Sequence, residues 1–332
     1  MRNYSQTART AQRGFTLPEI LIALAVLTVI SIVVIGALAP WLSFKARLDN
    51  ERKIQQVGQG FSAYYRTNAM AIERQPAGNF GGFQNSTVNA QKSCEAQTTA
   101  FRAFSSWTGE GAETISVDGY KNPFCVLVSP NLTITSQGVT LNYRNVAIIS
   151  AGEDGIFEEG ITRIDALGNL ELGGDDQGMM TSGKMIQMDK LADTLSRMDR
   201  LAAIYETYFT SRFLASIDRD IARYYFAKGP SLAYDTSGQV ESTGGEWARA
   251  GLILSGIGAS PADTVSAWEI DGDIEVSNLG TGAEGTPIEG RIARTPASTG
   301  TSSLPYTALI RARLPGPVST PTYVLKAAIG NY

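Results

Sequence analysis

Three observations predict an α+β protein organised around one long N-terminal helix. From Ile20 to Ala39 no residue is charged, and only Thr28 and Ser31 interrupt the aliphatic pattern. Ile54, Val57, Phe61, Tyr64 and Tyr65 then recur at helical spacing with polar and charged residues between them. Short β-prone runs bounded by turn residues occur twice after that, at residues 124–150 and again at residues 270–329. Together they predict a membrane-spanning N-terminal helix packed on an antiparallel sheet head, with a second C-terminal α+β region behind it.

Residues 1–14 carry Arg2, Arg9 and Arg13 and no acid, so the positive-inside rule keeps them in the cytoplasm and exports the chain beyond Ala39. The apolar run is about 20 residues, or about 30 Å at 1.5 Å per residue, which is one hydrocarbon thickness. A secretory signal has a shorter apolar region with its cleavage site after it. Here the expected cut lies before the run, so processing leaves the apolar helix on the mature chain. The predicted organisation is a leader at 1–14, the helix at 15–74 with its membrane part at 20–39, a first head at 75–180 and a second region at 181–332. Gly36 and Pro40 predict a bend near the membrane exit.

Glu19 sits at the edge of the apolar run; an ionised side chain at mid-bilayer costs about 2.5–3.5 kcal/mol on insertion scales, so a carboxylate beside such a run needs a partner. The motif Gly14-Phe15-Thr16-Leu17-Pro18-Glu19 resembles the class III signal of type IV pilins and type II secretion pseudopilins. That resemblance implies cleavage after Gly14 by a prepilin peptidase and N-methylation of Phe15. It also implies that Glu19 neutralises the terminal amine of a neighbouring subunit in the filament. Two charges desolvated in a helical bundle each need the other. Pro18 departs from the commoner Ile or Leu but falls in the first helical turn, where proline is tolerated.

In the first exported region, Phe124–Val128, Leu132–Thr135, Val139–Tyr143 and Val146–Ser150 read as strands of a meander. Cys94 and Cys125 lie in this oxidising compartment; a bond between them would close about 30 residues and stabilise by roughly 3–4 kcal/mol, two buried free thiols being the alternative. Asp118-Gly119-Tyr120-Lys121-Asn122-Pro123-Phe124 resembles a turn of the major pseudopilin, and Ser150-Ala151-Gly152-Glu153-Asp154-Gly155 resembles that family's calcium loop. Eight acids fall between Glu153 and Asp176 with Arg163 as the single base, a donor set suited to a hard cation such as Ca²⁺. The ranked ligands are Asp154, then Glu158, Asp175 and Asp176. The spacing does not fit an EF-hand, and an acidic solvated loop is the alternative.

In the second region Leu191, Leu195, Met198, Leu201, Tyr205, Tyr208 and Phe209, extended by Phe213, Ile217, Ile221 and Tyr224, predict a helical stripe over residues 185–228. Ile270–Val276, Tyr306–Leu314 and Tyr323–Ile329 read as strands. Long helix, loop, then strands repeats the order of the first region, which suggests a second pilin-like head; a simple extension is the rival. Residues 280–303, rich in Gly, Ser, Thr and Pro, read as loops.

The sequence also excludes. It has no histidine and only two cysteines, which removes Ser-His-Asp and Cys-His catalysis, His-ligated zinc and thiolate clusters. No Gly-x-Ser-x-Gly nucleophile motif and no Walker A sequence is present, which argues against an enzyme. A net charge of −4 gives no basic footprint for nucleic acid. The expected function is a structural subunit of a type IV pilus or pseudopilus, a minor, tip or adhesive one because of its large head. Its expected partners are other pilin subunits, the prepilin peptidase, an inner-membrane assembly platform, and a surface or secreted-protein ligand. It would start as a single-pass protein of the bacterial inner membrane, N-terminus inside, and end in a periplasmic or extracellular filament. The rival is a signal-anchored periplasmic binding protein that never polymerises.

Overall fold

A computed structural model describes residues 17–75, 98–157, 161–221, 225–228, 233–234, 248–268, 274–277, 307–316, 322–330 and 332. Helix α1 runs from Leu17 to Glu73. Three short helices come next: α2 (Thr98–Arg102), α3 (Ser105–Thr108) and α4 (Ala112–Ile115). Strands β1 (Cys125–Val128), β2 (Leu132–Ser136), β3 (Val139–Tyr143) and β4 (Asn145–Ser150) then succeed one another closely. A small ribbon, β5 (Arg163–Ile164) with β6 (Leu170–Glu171), precedes β7 (Gln177–Ser182), which runs directly into helix α5 (Gly183–Ala215).

All of these pairings are antiparallel. The first sheet has the order β1-β4-β7, with Val126 opposite Ile148 and Ile148 opposite Met179. β2 and β3 form a separate hairpin rather than extending that sheet. Its two-residue turn, Gln137-Gly138, has φ values of 53° and 78°, the left-handed pair that matches the twist of a tight hairpin. All four strands predicted for residues 124–150 are present. β7 was not foreseen, because Gln177-Gly178-Met179-Met180 carries none of the branched or aromatic residues that signal a strand.

The second region contains β8 (Ala227–Lys228), β9 (Ala233–Tyr234), β10 (Ala248–Arg249), α6 (Ala250–Leu254), β11 (Glu275–Ser277), β12 (Thr307–Arg313) and β13 (Tyr323–Ile329). β10-β11-β12-β13 form a four-stranded antiparallel sheet, with Ile310 opposite both Val276 and Lys326. A long helix and then an antiparallel sheet therefore occur twice along the chain.

Pro40 lies within α1, and the departure from helical dihedrals falls at Asn68 (φ −109°, ψ 22°), whose side chain donates back to the Tyr64 carbonyl at 3.0 Å. One expectation needs correction. The second long helix stops at Ala215 rather than continuing to residue 228. Arg219 takes φ +44°, and Ser216 donates to the Asp218 carboxylate, a local bond that competes with the helix. Ile217 and Ile221 are exposed, and Tyr224 lies outside the described residues. Tyr225 and Phe226 instead turn back onto α5, where Phe226 meets Tyr205 and Phe209 at ring distances of 4.8 and 4.7 Å.

The stripe predicted on α1 forms: Ile54, Val57, Phe61 and Tyr65 are buried and Tyr64 half-buried, against Phe101, Phe104 and Phe124. On α5 the matching face is Leu191, Leu195, Met198, Leu201, Tyr205 and Phe209. Both stripes belong to one hydrophobic cluster that reaches Ala328, so the core is continuous across the two regions. The charges of α5 do more than face solvent. Arg197 donates to the Ala262 and Val265 carbonyls at 3.1 and 3.0 Å, Arg200 pairs with Asp263 at 2.7 Å, and Lys326 reaches Asp199 at 2.7 Å.

Candidate functional site

The first half of α1 stands apart from that core. Leu17, Ile20, Leu21, Ile22, Leu24, Val26, Leu27, Val29, Ile30 and Ile32 are all exposed, Ile20 the least so at 49%. Exposure on every side of an aliphatic helix fits lipid or a bundle of like helices rather than water. Removing each such side chain from water yields about 1.5–3 kcal/mol. Thr28, a polar residue of this stretch, donates its hydroxyl to the Leu24 carbonyl at 2.7 Å and so needs no water.

Among the described residues no helix is long and apolar enough to cross a membrane. The side chains of Val33, Val34, Ile35, Ala37 and Ala39 fall outside those described, so the described apolar surface is continuous only to Ile32. Glu19 stands exposed in the first turn of α1; Gly14 and Phe15 lie outside the described residues.

Beyond Pro40 the exposed surface becomes aromatic and basic. Trp41, Phe44 and Leu48 are exposed, and the Lys45 ammonium lies 5.8 Å from the Trp41 ring centre. The head begins here: Ser43 donates to the Glu153 carboxylate at 2.7 Å. Further along α1, buried Asn50 accepts from the Gly119 amide at 3.1 Å and donates to Ser150 and Gln177 at 3.1 and 2.9 Å. It thereby ties α1 to the 118–124 turn, β4 and β7. Gly119 is required for this approach, since a Cβ there would lie 2.6 Å from the Ala46 carbonyl oxygen and the Asn50 nitrogen.

Asp118 organises the turn itself. Its Oδ1 accepts from the Tyr120 and Asn122 amides at 2.9 and 2.7 Å, and its Oδ2 accepts from the Ser150 hydroxyl at 2.6 Å. Burial still raises its pKa, outweighing those bonds. Lys53 donates to the Val117 and Asp118 carbonyls at 3.1 and 3.2 Å, and burial, then repulsion from Lys121, lowers its pKa.

The acidic loop closes on itself. Asp175 Oδ2 accepts from the Glu153 and Asp154 amides at 2.6 and 3.4 Å, which joins the two ends of the loop. Asp154 caps the Ile156 amide at 2.8 Å, and Asp176 accepts from the Thr162 hydroxyl. Glu158 lies outside the described residues, and among the described ones no three carboxylates form a group that could hold a metal ion. The Asp175 carboxylate thus meets the Asp154 backbone, while the Asp154 carboxylate turns to Ile156 and Asp176 faces Thr162. Buried Cys125 is disulfide-bonded; Cys94 lies outside the described residues.

Sequence reasoning missed two buried polar groups. One is the Asn50 tie, signalled by an amide four residues before Ile54 in the apolar stripe. The other joins Tyr65 and Glu73 of α1 to Arg144 and has no sequence signal, because Arg144 is 71 residues beyond Glu73 in the chain.

No curated protein and no solved structure matches this chain. Residues 9–35, which include the exposed aliphatic residues of α1 from Leu17 to Ile32, match the family model described as the prokaryotic N-terminal methylation motif. The chain therefore carries the class III signal of type IV pilins and pseudopilins, which supports a pilin-like subunit and implies peptidase processing, membrane anchoring before assembly, and assembly with other pilin subunits.

Proposed function

We propose that this chain is a minor, tip-located or adhesive subunit of a type IV pilus or pseudopilus. One observation carries the reading: an aliphatic helix exposed on all sides directly succeeds the start of the matched motif, with Glu19 in its first turn. In this reading residues 20–39 span the inner membrane before assembly. Cleavage after Gly14 frees the Phe15 amine, which is methylated, and Glu19 neutralises that amine in an adjacent subunit. An inner-membrane platform would lift the subunit out of the bilayer, and the exposed α1 surface would pass from lipid to neighbouring helices.

The second region bears on the place in the filament. Its order of long helix, loop and antiparallel sheet repeats the first, and we read it as a second pilin-like head without an arm of its own. Two heads on one arm would crowd a shaft, which favours the tip and a surface or secreted-protein ligand there. We further propose that Cys94 is the partner of Cys125. Calcium remains a proposal for the acidic loop on one ground, the closure of that carboxylate-rich loop by Asp175 onto the Glu153 and Asp154 amides; the Asp154, Asp175 and Asp176 carboxylates are already engaged with backbone amides and a hydroxyl.

Mass spectrometry of the mature N-terminus tests the core of this reading. A chain beginning at methylated Phe15 agrees with it. A chain that keeps residues 1–14 when expressed with a functioning prepilin peptidase supports a signal-anchored binding protein instead.

A further inference from the structure

A buried polar chain crosses the junction of α1, the first sheet and α5. Trp268 Nε1 donates to Gln187 Oε1 at 2.7 Å, and both residues are fully buried. The Gln187 side chain also faces the Tyr65 hydroxyl; burial and then Glu73 raise that group's pKa, and Gln187 opposes the shift. Tyr65 in turn donates to Glu73 Oε1, which also accepts from the Arg144 amide at 3.0 Å. Arg144 closes the circuit: its guanidinium donates to the Gln75 carbonyl at 3.0 Å, and its carbonyl accepts from Gly183, the first residue of α5, at 3.1 Å. Gly183 has no room for a side chain, since a Cβ would lie 2.2 Å from the Arg144 carbonyl oxygen and 2.4 Å from the Tyr65 hydroxyl.

Glu73 is the only carboxylate in this chain of contacts, and it is 5% exposed. Its Oε2 is buried with no hydrogen-bond partner among the described residues. An ionised carboxylate with one orphaned oxygen in an apolar setting is costly, and a neutral carboxyl far less so. Burial accordingly pushes its pKa from the usual 4.5 to about 7, against the pull of the Tyr65 hydroxyl and Arg144. Among the described residues, the ionisable groups around it are Tyr65 from α1, Arg144 from the β3–β4 turn and Arg74, next along the chain. α5 presents the neutral Gln187, and its Asp189 pairs with Arg66 of α1 at the surface at 3.1 Å. The loop before β11 presents the neutral Trp268. Five residues before Glu73, Asn68 interrupts the helical dihedrals of α1 and supplies a hinge.

We propose that Glu73 is a proton-operated clasp between the two halves of the exported protein. Protonated, it holds the end of α1, the Arg144 turn and the start of α5 together. Ionised, it loosens the segment after Asn68 and, through Arg144 and Tyr65, the seat of α5. The device is independent of whether the chain assembles into a filament.

Hydrogen–deuterium exchange on the full chain in detergent tests this, at pH 6 and pH 8 with rates corrected for intrinsic catalysis. If opening restores an ordinary carboxyl, protection of residues 69–75 and 183–190 falls about tenfold between these pH values and levels above pH 8. In Glu73→Gln that protection is the same at both. Equal protection in the wild type overturns the proposal, as does an undiminished loss in Glu73→Gln. If that variant does not fold, a carbon-13 titration of Glu73 in the wild type decides. A midpoint near 7 supports the clasp, and one near 4.5 overturns it.

Discussion

Asn50 and Gln187 occupy corresponding places in the two halves of the molecule. Each is a fully buried amide on a long helix, and each stands three residues before a lysine that binds carbonyls of the loop leading to that half's sheet. Lys53 reaches Val117 and Asp118, and Lys190 reaches Ala267 at 2.6 Å. Asn50 meets Gly119, and Gln187 meets Trp268. The next residues after the lysines, Ile54 and Leu191, both enter the core.

This correspondence predicts similar penalties at the two sites. Asn50→Leu strands the Gly119 amide and removes the donors to Ser150 and Gln177; Gln187→Leu strands the Trp268 indole. Each is expected to destabilise by about 1–3 kcal/mol, read from denaturant unfolding of the full chain in detergent. A change below about 0.5 kcal/mol at either site contradicts the role given to that amide.

Gly119→Ala is expected to destabilise by about 1–3 kcal/mol, because the clash is with helix backbone that cannot rotate away. Gly111 is the control. Its φ is −70° and a Cβ there meets nothing within 4 Å, so Gly111→Ala should leave the melting temperature close to that of the wild type.

The pH dependence of stability has a definite sign at Glu73. Its folded-state pKa lies above its ordinary value, so its contribution is full below about 4.5 and is lost as pH rises to about 7. Asp118 is raised by burial and acts in the same direction. The stability difference between the wild type and Glu73→Gln should move against the wild type over that window by roughly 3 kcal/mol and be flat above it. A difference that does not vary with pH contradicts the assignment.

Asp175 joins the ends of the acidic loop through the Glu153 and Asp154 amides. Asp175→Ala is expected to open this loop, seen as faster proteolysis between residues 152 and 176, while the melting of the core changes by less than about 1 kcal/mol. Calorimetry with Ca²⁺ on the wild type and this variant tests the calcium proposal, which requires heat in the first and its loss in the second.

Much of the fold was legible because it is carried by local periodicity. The α1 stripe, strands β1 to β4 and strands β12 and β13 are all written in side chains that alternate or recur. β7 was hidden because its stabilisation comes from pairing with β4 and packing on α1 rather than from its own residues. The end of α5 was misplaced because Ile217 and Ile221 keep helical spacing after the backbone has left the helix. At the N-terminal end, the assembly role proposed for Glu19 rests on a charge beside an apolar run. The Tyr65–Glu73–Arg144 contact was not legible, since only folding brings residues 65, 73 and 144 together.

The central claim is that α1 is an assembly arm whose first-turn carboxylate serves a neighbouring subunit. Its most direct measurement is the amount of Glu19→Ala chain in sheared filaments from cells in which the variant replaces the wild type. Leader removal and total cellular chain are measured alongside. The predicted result is a processed, membrane-associated variant that is missing from the filaments. Incorporation of Glu19→Ala at the wild-type level, or a wild-type chain that never enters filaments, would contradict the claim.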